Sequence, residues 1–290
     1  WRNYFSSPEC DHLLEEARSE TRPGARETLY RKFENLLAAS EAVVPLFHDI
    51  DYRLASPSVK GLRLLGSPPY VNYSTLGKAT SGVPAGELPR TTGGGILHLP
   101  MAGVVKTLDP ALATTVEQGE VNSLLFETLT RQGGGANIVP WLAAEFRSEE
   151  GGRRYRFRLR DDVLFHDGRR LSARDVRYSF ERLLQTEESA MRPVCSMIRG
   201  AKAVLSGETR DLLGFQIYSA REFSIELDEP VSFFPALMTY DAVSIVPEGT
   251  GRVGTSVQEG CVGTGPFRVV NFEPGQRLEL ERNKSYWRKG

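Results

Sequence analysis

Apolar and polar positions divide the chain into helical and extended stretches. Ser7 and Pro8 form a cap followed by a first-turn proline, and Leu13, Leu14 and Ala17 behind them predict a helix. Tyr30, Phe33, Leu36 and Leu37 recur near the helical period and predict a second helix from Pro23. Residues 43–47 read as a short buried strand, and residues 52–65 as an extended segment interrupted by Pro57 and Gly61. Large apolar residues then nearly vanish: Gly82, Pro84, Gly86, Pro89 and Gly93 to Gly95 lie among serines and threonines. This composition predicts a first segment over residues 1–76, a linker over 77–94 and a second segment over 95–290.

The second segment alternates strands with helices. Residues 96–99 read as a strand, and Val121, Leu124, Leu125 and Leu129 as one helical face. Tyr155, Phe157 and Leu159 alternate with Arg154, Arg156, Arg158 and Arg160, which is the period of a half-buried strand. A strand row does not converge as an anion pocket does, so these arginines are read as a solvated face paired with acidic neighbours. Ser172 and Asp175 have capping spacing ahead of Val176, Phe180, Leu183 and Leu184. Hairpins are expected over residues 215–227 and 267–281, with a short aromatic helix over 231–240. The fold expected is mixed α/β with antiparallel pairs.

Composition narrows the function classes. With 40% hydrophobic residues among 290, the chain can bury a sizeable core. Thirty-six basic residues against 37 acidic ones leave no overall field to attract nucleic acid. No apolar run approaches the roughly eighteen residues of a membrane span. The sequence opens at Trp1 without the pattern of a secretory leader, which reads as a processed chain or a piece of something longer. Cys10, Cys195 and Cys261 lack the spacing of a zinc site or a disulfide framework, leaving buried thiols or one isolated disulfide as the readings.

No phosphate-binding loop, dinucleotide fingerprint or hydrolase signature occurs. His12, His48, His98 and His166 are not spaced for metal chelation, so no metal or cofactor is expected. His166 beside Asp167 permits a general-base reading, and with it a hydrolase. Asp167 and Gly168 equally suit a tight turn between strand and helix.

Four ordered blocks carry a family resemblance. Gly94 to Leu97 leads through Thr107, Leu108, Asp109 and Pro110 to Leu124, Leu125, Phe126 and Glu127. Pro140 to Ala143 comes next, then Tyr155 to Arg160 with Phe165, His166, Asp167, Gly168, Ser172 and Asp175. Val262 to Phe267 closes with Asn283, Tyr286 and Trp287. This stretch resembles the opening of the extracellular solute-binding proteins of family 5, the dipeptide-, oligopeptide- and nickel-binding subunits of ABC importers. Pro8, Glu9, Leu13, Leu14, Leu29, Tyr30, Val44 to Phe47 and Val59 to Leu62 resemble the family's closing segment. A family tail thus precedes a family head, and most of the second lobe has no counterpart. A permuted, truncated chain and a junction between two tandem binding domains both explain this order.

The resemblance implies a lobe of the class II periplasmic-binding-protein fold with a mixed sheet, plus a helical remnant of a second lobe over residues 8–40. It implies a non-catalytic component that closes over a peptide or other small solute and delivers it to a membrane permease. That function would lie in the periplasm or on the outer face of the bacterial envelope. By position, Thr114, Thr115 and Val116 correspond to the family's main-chain ligand contacts. Residues 43–47 and 59–65 should then share a sheet with 96–99 and 267–270, with Trp1 and Gly290 near the hinge. The alternative function is a ligand-sensing module of a regulatory protein.

Overall fold

The computed structural model describes residues 5–44, 53–57, 59–64, 70, 71, 73, 76–78, 96–101, 103–133 and 137–288. Helices α1 (Pro8–Ser19) and α2 (Pro23–Ala39) form a hairpin whose interior is Cys10, Ala17 and Leu29. Ser7 caps α1 by accepting the Cys10 N–H, and prolines occupy the first turn of both helices, where an N–H has no intrahelical partner. The pair rests on a later loop. Arg18 bridges Glu229 at 3.2 Å, its carbonyl accepts the Ser232 N–H, and Arg26 donates to Ser232 Oγ at 2.9 Å.

The first segment's strands pair among themselves. β1 (Val59–Lys60) runs antiparallel to β2 (Gly77–Lys78), and Leu64 bridges Val71. Gly77 and Lys78, expected to open the linker, are therefore paired, while residues 79–94 of that linker lie outside the described residues. Val43 and Val44 are exposed and unpaired, and residues 45–47 of the expected strand lie outside the described residues, as do Trp1 and Gly290.

After a 3-10 turn at Pro110–Leu112 come α3 (Val116–Leu125), β3 (Thr130–Gln132), β4 (Ile138–Pro140), β5 (Ala143–Glu149) and β6 (Arg154–Leu159). Next are α4 (Ala173–Gln185), the short α5 (Arg192–Cys195) and α6 (Ala201–Leu205), β7 (Phe215–Ile217) and β8 (Glu222–Glu226). The helical turn α7 (Phe234–Leu237) is all that forms within the expected aromatic helix. β9 (Phe267–Glu273) and β10 (Arg277–Arg282) complete the order.

The main sheet has the strand order β5-β6-β8-β7. Every strand pair among the described residues is antiparallel, so the mixed character of the fold lies in its helices and strands together. The inner face follows from the alternation along β6. Phe157 stacks on Phe223 at 5.2 Å, Phe223 stacks on Phe215 at 4.9 Å, and α4 adds Val176, Phe180, Leu183 and Leu184. Burying each such ring contributes about 1.5–3 kcal/mol. The outer face is an ion ladder: Arg154 meets Glu150 and Glu226, Arg156 meets Glu222, and Arg158 meets Glu145. These exposed pairs contribute about 0–1 kcal/mol each.

At the start of α4 both Ser172 N and Ser172 Oγ donate to Asp175 Oδ2, so the third residue of the helix ties back the residue that precedes it. The other Asp175 oxygen accepts the Glu248 N–H at 2.8 Å, tying the helix start to a distant loop.

Residues 96–99 form no strand. Ile96 is 85% exposed, and β9 and β10 pair only with each other. A strand needs a partner for its N–H and C=O groups, and none of the described residues pairs with this stretch. The expected sheet joining residues 59–65, 96–99 and 267–270 does not form among the described residues. All three cysteines are free and buried. No described helix is long and apolar enough to cross a membrane.

Candidate functional site

Helix α3 is the spine of the site. Thr115 is its cap: Thr115 Oγ1 accepts the Gln118 N–H at 3.3 Å, while Gln118 Oε1 accepts the N–H groups of Thr115 at 3.2 Å and Thr114 at 2.9 Å. Threonine followed three residues later by glutamine is a capping box visible in the sequence alone. The three residues singled out by position, Thr114, Thr115 and Val116, thus sit together on one exposed turn. The Thr114 carbonyl and the Val116 N–H take no protein partner among the described residues. The turn presents one acceptor and one donor of main chain to solvent.

Polar groups hold the buried side of the helix. A Cβ on Gly119 would stand 2.8 Å from Asp241 Oδ2, so glycine lets that carboxylate approach the helix backbone. Burial pushes the Asp241 carboxyl up to about 7, against the pull of Arg131. Glu120 accepts from Arg53 at 3.3 Å and from the Tyr73 hydroxyl at 3.0 Å. The first segment therefore reaches α3 directly. One turn beyond Gly119, both polar atoms of Asn122 are buried without a partner, as is Ser244 Oγ.

The C-terminal end of α3 is anchored by a chain crossing. A Cβ on Gly263 or Gly265 would collide with the carbonyl of Leu125 or Leu124, so the segment lies directly on the helix backbone. Gly265 N donates to the Leu125 carbonyl at 3.0 Å. His166 clips the same segment from the other side. Its Nδ1 accepts the Gly263 N–H at 3.2 Å, which leaves Nε2–H to donate to the Gly265 carbonyl at 3.1 Å. Burial depresses the imidazole to about 4, holding it neutral. Asp167 and Gly168 form the expected turn, with Arg169 N donating to Asp167 Oδ1 and Gly168 at φ 88°. Both His166 ring nitrogens face backbone, so the imidazole holds the crossing and has no free nitrogen to act as a base.

Glu127, just past α3, gathers residues distant in sequence. Its Oε1 accepts from Trp141 Nε1 and the Tyr286 hydroxyl, and its Oε2 from Thr264 Oγ1 and Trp287 Nε1, all at 2.8–2.9 Å. Burial raises its carboxyl above the usual range against these four donors. Only the positions of its partners in the fold reveal this hub. Among the described residues, no group of three or more His, Cys, Asp and Glu side chains is placed to hold a metal.

Comparison with known proteins fits this architecture. Residues 137–290 match the family model described as bacterial extracellular solute-binding proteins, family 5 Middle. The chain is 30% identical over 187 residues to the periplasmic murein peptide-binding protein MppA of Escherichia coli, covering 62% of this chain and 35% of that protein. It is 26% identical over 189 residues to the oligopeptide-binding protein OppA of Bacillus subtilis, covering 63% of this chain and 35% of that protein. The solved structure of the Escherichia coli murein tripeptide binding protein MppA superposes with a TM-score of 0.58 at 29% identity, covering 64% of this chain and 38% of that one. The chain spans about a third of the length of these relatives.

Proposed function

The chain belongs to family 5 of the bacterial extracellular solute-binding proteins, and from that membership we propose that it carries part of a peptide-binding clamp of an ABC-type importer. The clamp acts outside the cytoplasmic membrane and hands its solute to a permease without making or breaking a covalent bond. The relatives' names support this reading: one binds murein peptide and another oligopeptides. The observation that carries it is the exposed turn at Thr114, Thr115 and Val116, with its free carbonyl and free N–H. Main-chain groups bind an extended peptide irrespective of its side chains, which suits a carrier of varied peptides.

We further propose that residues 1–76 are a family tail placed ahead of a family head, joined to it through residues 77–94. The contacts of Arg53 and Tyr73 with Glu120 support a tail seated on the head's first helix.

Taken by itself, this chain, which spans about a third of its relatives' length, is expected to bind a peptide weakly. Amide-resolved NMR titration with a mixture of tri- to pentapeptides tests the assignment. Weak, saturable shifts at residues 114–116, abolished in Thr115→Trp without a drop in melting temperature, are expected. Shifts located elsewhere, or submicromolar binding by the monomeric chain, contradict it.

A further inference from the structure

Two indoles and three guanidinium groups form one continuous stack beside the Glu127 hub. Trp141 and Trp287 meet edge to face at 5.4 Å. Arg131 and Arg288 both lie over the Trp141 ring, at 4.5 and 4.6 Å from its centroid. Arg160 lies over Trp287 at 4.5 Å, and Arg288 reaches the same ring at 5.9 Å. The rings and two of the arginines are half-buried, and Arg288 is exposed.

The ion-pair pattern distinguishes these arginines from those on the main sheet. Arg154, Arg156 and Arg158 each pair with a glutamate, whereas none of Arg131, Arg160 and Arg288 forms an ion pair among the described residues. The nearest carboxylates are already engaged or enclosed. Glu127 is buried beneath four donors, and Asp241 sits against Gly119. Arg160 spends only its Nε, on the Trp141 carbonyl at 2.6 Å. Stacking uses the face of a guanidinium and leaves its N–H edge free, and that edge matches a carboxylate in a two-bond fork.

We propose that this arginine–tryptophan patch is a binding site for an acidic peptide segment, whose carboxylates meet the edges of Arg131, Arg160 and Arg288 while its side-chain methylenes rest on the indoles. Its residues are separate from the turn at Thr114 to Val116, so it stands whether or not that turn contacts a ligand.

The patch supplies its own reporter, because Trp141 and Trp287 are two of only three tryptophans in the chain. Tryptophan fluorescence of the full chain is followed at low ionic strength while acetylated, amidated triglutamate is added, with triglutamine and inorganic phosphate as parallel titrations. A saturable change with triglutamate alone is expected, weakened by added salt. It should be weakened about tenfold in Arg288→Gln and in Arg160→Gln. Circular dichroism verifies that each variant is folded, and the exposed Arg288 provides the reading if Arg160→Gln is not. No saturable change with triglutamate, an equal response to triglutamine, or unchanged affinity in folded Arg288→Gln overturns the site. Phosphate saturating as tightly as triglutamate overturns the peptide assignment in favour of a general oxyanion site.

Discussion

The four-stranded sheet with α4 and the layer of α3 with the β9–β10 hairpin differ in how completely each closes its core. In the first, Tyr155, Phe157, Phe223 and Phe234 are almost fully buried, and the other face of the sheet is a ladder of matched charges. In the second, a smaller core around Leu108, Leu125, Phe126 and Val269 is flanked by apolar residues left in water. Val104 and Val270 are 55% and 52% exposed. The candidate ligand turn belongs to the second layer. The contrast separates a large, almost fully enclosed aromatic core from a smaller one bordered by exposed apolar side chains.

The largest effect should come from breaking the closed layer. Phe223→Ala removes the ring stacked between Phe157 and Phe215 and should cost about 3–5 kcal/mol in chemical denaturation. Val270→Ala, on the exposed side of β9 in the open layer, should cost less than about 0.5 kcal/mol. Similar losses for the two would erase the distinction.

A second test moves the chain crossing. Gly265→Ala places a methyl group against the Leu124 carbonyl and should cost about 1–3 kcal/mol. Its damage should concentrate in α3 and β9, seen as amide shifts there, while β6 and β8 keep their spectra. Shifts spread evenly through both layers would show that the layers do not respond separately.

The smallest of the three is a pH effect. The folded-state value for His166 is about 4 against an ordinary 6.5, so the neutral imidazole stabilises the fold fully above 6.5. That contribution is lost as pH falls from 6.5 through 4. His166→Gln should therefore lose stability relative to the native chain at pH 7.5, and the gap should narrow by pH 4. A gap independent of pH would mean that the clip does not depend on the neutral ring.

The two layers were unequally legible in the sequence. β6 and α4 were readable because each buries one face and exposes the other, so tyrosine and phenylalanine alternate with arginine and a capping pair precedes an apolar stripe. The hairpin at β9–β10 was readable from Glu273 to Gln276, its turn. Residues 96–99 have the composition of a strand, but pairing depends on a distant neighbour that local pattern does not contain. The candidate turn was located by resemblance alone, although the spacing of Thr115 and Gln118 already marked a helix start. Glu127 was beyond reach: its four donors come from positions 141, 264, 286 and 287, and only the fold brings them together.

Native-state hydrogen exchange of the whole chain measures the contrast between the layers most directly. Amides of β6, β8 and α4 should exchange only through global unfolding, while those of residues 96–101 and the outer edges of β9 and β10 should exchange through local opening at least about a hundredfold faster. Equal protection of the outer edges of β9 and β10 and of residues 154–159 would contradict the account, because it would place the open layer inside a completed core.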